Sequence, residues 1–185
     1  MNLPNSLTVA RIFLVPLLVV VLLTNQGTWW PYGFNKEVLG ALIFGVASLT
    51  DWADGYLARR RKQVTGFGEW MDPLADKLLV TAALISLVQL GLAPAWMVAV
   101  ILGREFAITV LRSYAYSKGL TLPASPLGKV KLVAQVVAIL GLILGQGEWR
   151  SVLLIGQLAL WVSTITALVS AVDYYRRVTS ALSRA

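Results

Sequence analysis

The chain has 185 residues, of which 57% are hydrophobic and 14% charged, and its mean hydropathy is +0.72. A core of this size cannot bury that much apolar surface, so the composition predicts a protein integral to a membrane. Cysteine and histidine are both absent, which excludes disulfides, thiolate metal sites and histidine acid–base chemistry. The net charge of +7 comes from basic residues between apolar runs, which favours anionic lipid and phosphorylated substrates over nucleic acid as partners.

Six apolar stretches are long enough to cross a bilayer, since a helical crossing takes about 20 residues. We place them at about 7–25, 37–60, 73–91, 95–117, 126–146 and 149–174. The predicted fold class is all-α integral membrane, with six transmembrane helices and a short polar N-terminal segment (residues 1–6) lying along the interface. Residues 1–185 are expected to form a single membrane domain.

The positions of Lys and Arg predict the orientation of these helices. Nearly all of them fall at span ends that share one side, whereas Lys36 and Arg150 fall at the opposite ends. By the positive-inside rule, both termini and the loop at 60–72 are cytoplasmic. The expected location is a bacterial-type cytoplasmic (inner) membrane.

Four aspartates lie near the cytoplasmic ends of the second and third spans. Asp51 and Asp54 are three residues apart and Asp72 and Asp76 four apart, so each pair shares a helical face. Pro73 fits the first turn of the third helix with Asp72 as its N-cap. Helices joined by a short loop are usually antiparallel neighbours, so we expect the two faces to meet. Ionised groups in a span cost about 2.5–3.5 kcal/mol each on insertion scales, which makes them functional candidates.

Carboxylates this close repel one another unless cations neutralise them. Lys77 and Arg59 would neutralise two, and the remaining charge predicts two divalent ions; an all-oxygen donor set favours Mg²⁺ or Mn²⁺. Such ions would clamp a phosphoryl or pyrophosphoryl group. A simpler interpretation stays open, in which the aspartates pair with the basic residues at 59–62 at a wet membrane edge.

The whole motif reads Asp51-x2-Asp54-Gly55-x2-Ala58-Arg59-x8-Gly68-x3-Asp72-x3-Asp76. This pattern resembles the signature of the CDP-alcohol phosphotransferase family at all eight of its fixed positions. The resemblance implies a six-helix membrane enzyme, usually homodimeric, with its active site on the cytoplasmic side. In such enzymes an alcohol attacks the pyrophosphate of a CDP-linked donor and CMP is released.

The resemblance also implies roles for individual residues. Asp51, Asp54 and Asp72 would ligate one divalent ion, and Asp51, Asp72 and Asp76 the second. The resemblance also makes Asp76 the catalytic base that takes the proton of the acceptor hydroxyl, and a carboxylate beside the metal is a plausible acceptor where histidine is absent. The positions implied to bind the CDP donor are Asn5, Thr8, Gly55, Arg59, Thr65 and Gly68.

Similarity to one branch of the family extends over most of the chain, through residues 2–12, 103–106 and 128–131 with Gln135. Leu132 departs from that branch, where a threonine is expected. Four cations fall on the fourth and fifth spans, and together they would form a pocket for the phosphate of the acceptor; they are Arg104, Arg112, Lys129 and Lys131. Alternatively, Arg104 pairs with Glu105 and the others are snorkelling anchors.

The expected reaction is transfer of a phosphatidyl group from CDP-diacylglycerol to sn-glycerol-3-phosphate, giving phosphatidylglycerophosphate and CMP. A cluster of cations suits a phosphorylated acceptor and is not needed for inositol, choline or ethanolamine. Two alternatives remain. One is a family member with another acceptor, such as inositol phosphate or, in cardiolipin formation, phosphatidylglycerol. The other is a divalent-cation transporter with the aspartates as its permeation site.

Overall fold

The computed structural model of the chain describes residues 3–24, 35–61, 66–118, 126–146 and 149–182. Within these ranges the regular structure is entirely helical. The helices are α1 (Leu3–Leu23), α2 (Lys36–Arg61), α3 (Gly66–Gln89), α4 (Ala95–Ser117), α5 (Pro126–Leu144) and α6 (Arg150–Leu182). The six predicted apolar stretches therefore correspond one to one with six helices.

Two helices begin earlier than the sequence predicts. Residues 3–6, expected as a separate interfacial segment, are continuous with α1, and α3 begins at Gly66, so that Pro73 lies in its interior. The prediction that Asp72 caps this helix is therefore wrong. An internal proline removes one backbone hydrogen bond, and helices in lipid tolerate this because neighbouring groups satisfy the freed carbonyl.

Among the described residues, α5 and α6 pack together most extensively. Gly141 faces Gly156, where an added Cβ would lie 2.7 Å from the partner glycine's Cα, and Gly145 faces the backbone of Leu153 in the same way. Residues without side chains at these points let the two backbones touch, as in many membrane helix pairs. The α5–α6 pair therefore forms a closely packed wall of the bundle.

The remaining helices assemble around this wall and around α3. The helix α1 packs on α2 and α3, while α3 also contacts α4 and α5, and α6 contacts α4. The α4–α6 contact includes Trp96 and Trp161, whose ring centroids are 5.6 Å apart in an edge-on arrangement. In the described part of the chain, the backbones of α4 and α5 do not pack on each other; both border α3 and α6 instead. This leaves a cleft between α4 and α5.

Large apolar side chains are exposed on the outside of all six helices. Examples, one from each helix in chain order, are Phe13, Leu49, Ile85, Val110, Val133 and Leu158. Apolar surface of this extent is typical of contact with lipid or another apolar partner. Of the residues described, one helical segment, Ser151–Ser180, is long and apolar enough by itself to cross a membrane, and shorter apolar runs occupy Ala10–Leu23, Lys77–Gln89 and Val130–Leu144.

Candidate active site

The aspartate motif lies on α2 and α3, which contact each other. Asp51 and Asp54 are ten and seven residues before the end of α2, and Asp72 and Asp76 are six and ten residues after the start of α3. At 1.5 Å per residue these positions are about 9–15 Å from the helix ends that the four-residue connection joins. If α2 and α3 run antiparallel across that short connection, the two aspartate pairs lie at the same depth in the helix bundle.

The donor set on these two helices fits divalent metal. It supplies four carboxylates and neither nitrogen nor sulfur, which is the chemistry of a Mg²⁺ or Mn²⁺ site. The structure does not describe the side chains of the four aspartates, so metal binding by these residues stays a prediction. The same holds for other predicted positions: Asn5 and Thr8 in α1, Gly55 and Arg59 in α2, Gly68 in α3, Lys129 in α5, and Thr65, which lies wholly outside the described residues.

A buried ion pair crosses the cleft between α4 and α5. The Nζ of Lys131 on α5 pairs with Oε1 of Glu105 on α4, and Lys131 is 0% exposed. The other carboxylate oxygen of Glu105 is 3.7 Å from Nη1 of Arg104. Arg104 in turn donates from Nε to Oγ of Ser170 on α6, at 3.1 Å. The Glu105 carboxylate thus stands between two cations, and these contacts together connect α4 with α5 and α6.

Two further hydrogen bonds connect α3 with Glu105. Lys77, the residue after Asp76, donates from Nζ to Oγ1 of Thr109 at 2.6 Å, and Thr109 donates to the backbone carbonyl of Glu105 at 2.7 Å. Between α3, α4 and α5 lies a small cavity of about 60 Å³, lined in part by Lys77, Glu105 and Gln135. The aspartate helix α3 and the cationic cleft therefore meet in one polar region.

The structure brings together two of the four cations predicted to bind the acceptor phosphate. Arg104 and Lys131 both contact Glu105, and the predicted alternative pairing of Arg104 with Glu105 is present as the longer of these contacts. Arg112 is exposed two turns further along α4, close enough for its charge to act on Arg104. Whether these cations bind phosphate stays a prediction.

Two charged residues of this region were not identified from the sequence as parts of the site. Glu105 was considered as a partner of Arg104 and as part of the family-like stretch 103–106, and Arg11 as part of the family-like stretch 2–12, without a role of their own. Yet Arg11 is 2% exposed in α1, which packs on both aspartate helices. The signal was present in both cases, because a charged residue within an apolar span is a functional candidate.

Comparisons with known proteins agree with this architecture. The family model described as CDP-alcohol phosphatidyltransferase matches residues 1–169. The chain is similar to the CDP-diacylglycerol–glycerol-3-phosphate 3-phosphatidyltransferase of Bacillus subtilis (strain 168), with 45% identity over 183 residues, 95% of this chain and 94% of that relative. A protein of the same name from Rickettsia felis is 35% identical over 95% of this chain and 94% of its own.

A further relative is named a probable phosphatidylglycerophosphate synthase, from Mycobacterium tuberculosis (strain ATCC 25618 / H37Rv). It is 41% identical over 138 residues, which are 75% of this chain and 64% of that relative. The matched family model covers the aspartate motif on α2 and α3 and also the cationic cleft of α4 and α5. The family resemblance first seen in the motif is thereby confirmed: the chain belongs to the CDP-alcohol phosphatidyltransferase family.

Proposed function

We propose that this chain transfers a phosphatidyl group from CDP-diacylglycerol to sn-glycerol-3-phosphate, with phosphatidylglycerophosphate and CMP as products. The observation that carries the proposal is the complete eight-position motif on two contacting helices. The names of the relatives in Bacillus and Rickettsia, which match over nearly their whole length, support the same donor and acceptor.

The residues proposed to hold two divalent ions are Asp51, Asp54, Asp72 and Asp76. Bound Mg²⁺ or Mn²⁺ supplies positive charge that polarises the donor pyrophosphate. Asp76 accepts the proton of the attacking hydroxyl, and the acceptor oxygen then forms its bond to the phosphorus that carries the diacylglycerol as the bond to CMP breaks. No covalent enzyme intermediate is needed.

The chain's other proposed contribution is to position the CDP donor and the acceptor. Asn5, Thr8, Gly55, Arg59, Thr65 and Gly68 are proposed to bind the CDP group of the donor. Arg104, Arg112, Lys129 and Lys131 are proposed to hold the phosphate of the acceptor. Fixing both reactants in this way makes the attack effectively unimolecular, which lowers the barrier without new chemistry.

We propose further that all six helices cross a bacterial cytoplasmic membrane and that the protein works as a homodimer with its site on the cytoplasmic side. The exposed apolar residues on every helix support the insertion into lipid. The buried Lys131, paired with Glu105 between α4 and α5, supports a polar site inside the bundle.

The decisive experiment is an acceptor panel. Purified protein in detergent receives CDP-diacylglycerol, Mg²⁺ or Mn²⁺, and one acceptor at a time, and CMP release is measured with and without a chelator. We expect turnover with sn-glycerol-3-phosphate that the chelator abolishes. Faster turnover with inositol phosphate or phosphatidylglycerol would identify a different member of the family. Mg²⁺ flux in liposomes without CMP release would identify a transporter.

A further inference from the structure

A buried amide donor lines the small cavity between α3, α4 and α5. Gln135 on α5 is 2% exposed, and its Nε2 has no hydrogen-bond partner in the part of the chain that the structure describes. Buried polar groups in folded proteins are nearly always hydrogen-bonded, because an unpaired one has lost the hydrogen bonds that water gave it. The amide therefore indicates a polar ligand in the cavity.

An acceptor for that donor lines the same cavity. Oε1 of Glu105 pairs with Lys131, while Oε2 lies 3.7 Å from Nη1 of Arg104, which is longer than a hydrogen bond. A carboxylate accepts about four hydrogen bonds, so the described contacts leave Oε2 able to accept more. Gln135 and Glu105 thus carry complementary groups around one space without bonding to each other. A gap of this kind between polar groups is where a bridging water is expected.

The cavity has the size and the lining that a buried water requires. Its volume is about 60 Å³, and one water occupies about 30 Å³ in the liquid. A buried water also needs two to four polar partners. The described lining offers polar groups from all three helices, and they belong to Lys77, Thr81, Glu105 and Gln135.

We propose that the cavity holds an ordered water that accepts a hydrogen bond from Nε2 of Gln135 and donates one to Oε2 of Glu105. The water holds the Glu105 carboxylate in one orientation, and this carboxylate in turn holds Lys131 and Arg104. Gln135 is thereby a positioning residue for both cations. The water site is independent of the proposed function, whereas its effect on the acceptor rests on that function.

Thermal unfolding in detergent distinguishes a bridged amide from an unpaired one. Gln135→Leu keeps the approximate size of the side chain and removes its donor. Loss of the hydrogen bond to the bridging water should lower the Tm by about 1–6 °C for a chain of this length. Removal of an unpaired donor would instead relieve the cost of burying it and raise the Tm. A Tm that is unchanged or higher would overturn the proposal.

The matched control makes the same substitution away from the cavity. Gln157 on α6 is exposed and is not among the described residues that line the cavity. Gln157→Leu should not lower the Tm, because substitutions on an exposed helix face usually change stability little. An equal fall in both variants would assign the loss to the substitution itself, and the proposal would fail.

A structure of the purified protein at a resolution that shows waters tests the site directly. We expect density for a water within about 3.2 Å of both Nε2 of Gln135 and a carboxylate oxygen of Glu105. An amide that bonds directly to another protein group would contradict the proposal, and so would a cavity without density.

The effect on the acceptor is measured in the CMP-release assay. Gln135→Leu loosens the two cations and touches neither substrate. The KM for sn-glycerol-3-phosphate should therefore rise about 2–12-fold, the equivalent of one neutral hydrogen bond. The KM for CDP-diacylglycerol and kcat should stay unchanged. An unchanged KM for the acceptor would refute the positioning role.

A double variant shows whether Gln135 acts through Glu105. In Glu105→Gln the water no longer meets a carboxylate, so adding Gln135→Leu should raise the KM for the acceptor little further. A full additional rise would mean that Gln135 contacts the acceptor itself, which contradicts a positioning role. A wild type that releases no CMP with any acceptor refutes the proposed function instead, and the Tm and the water density then decide the water site alone.

Discussion

Glu105 holds together the two cations of the candidate site whose side-chain contacts the structure describes. Its carboxylate contacts Lys131 and Arg104, which lie on two helices whose backbones do not pack together within the described ranges. Within a bundle surrounded by apolar residues, each of these charges is costly without its partner. The pair therefore holds the cleft at a defined width and holds two cations where the acceptor phosphate is proposed to bind.

Replacing Glu105 by Gln should destabilise the protein by at most about 3–5 kcal/mol, because the buried charge of Lys131 then loses one carboxylate partner. Lys131→Met added to Glu105→Gln should recover part of that loss. Thermal unfolding in detergent measures both. The control is Asp173→Asn, which breaks the half-exposed pair with Arg177 and should cost at most about 1 kcal/mol. A double variant no more stable than Glu105→Gln would refute the coupling.

Asp76→Asn tests the proposed base. The amide keeps the size of the side chain and cannot accept the proton, so kcat should fall by about 10²–10⁴-fold. Binding of the CDP donor, measured directly by calorimetry, should persist because three other aspartates remain. Near-normal CMP release by this variant would remove Asp76 from the role of base.

At the scale of elements, the α5–α6 pair depends on glycine at the points of contact. Gly141→Ala would bring a methyl group within 2.7 Å of the Gly156 backbone, so the helices must separate. We expect a loss of about 1–3 kcal/mol in unfolding free energy. Gly103→Ala on α4 is the control, because its Cβ would meet nothing within 4 Å and alanine favours a helix by about 1 kcal/mol. Equal losses of unfolding free energy in the two variants would contradict the proposed packing effect, since helix propensity alone predicts a gain for both.

The helices themselves followed from the length of the apolar stretches, and all six were predicted in the right order. The start of α3 was not, since proline favours the first helical position but is also tolerated inside helices of membrane proteins. Seven further residues precede Pro73 in α3. Local sequence preference predicted the element, and the packing environment decided its boundary.

For the whole molecule, the distribution of basic residues predicts both termini on the cytoplasmic side. The chain contains no cysteine. A single introduced cysteine therefore shows on which side of the membrane it lies, with no reaction from other thiols of the chain. Asn35→Cys at the start of α2 should react with an impermeant maleimide in intact spheroplasts. Lys118→Cys at the end of α4 should react only after permeabilisation; both positions are exposed. The reverse pattern would invert the proposed orientation.

The sequence by itself determined the class of protein, the six helices and the aspartate motif, because hydropathy and residue spacing are local properties that can be read along a chain. It also identified Arg104 and Lys131 as unusual cations. Only the tertiary structure decided that Glu105 stands between them and that Gln135 lines the same cavity as Glu105 and Lys77. These relations connect α4 with α5, and α5 with α3, across separations that no periodicity encodes, because they depend on which helix faces meet when the bundle packs.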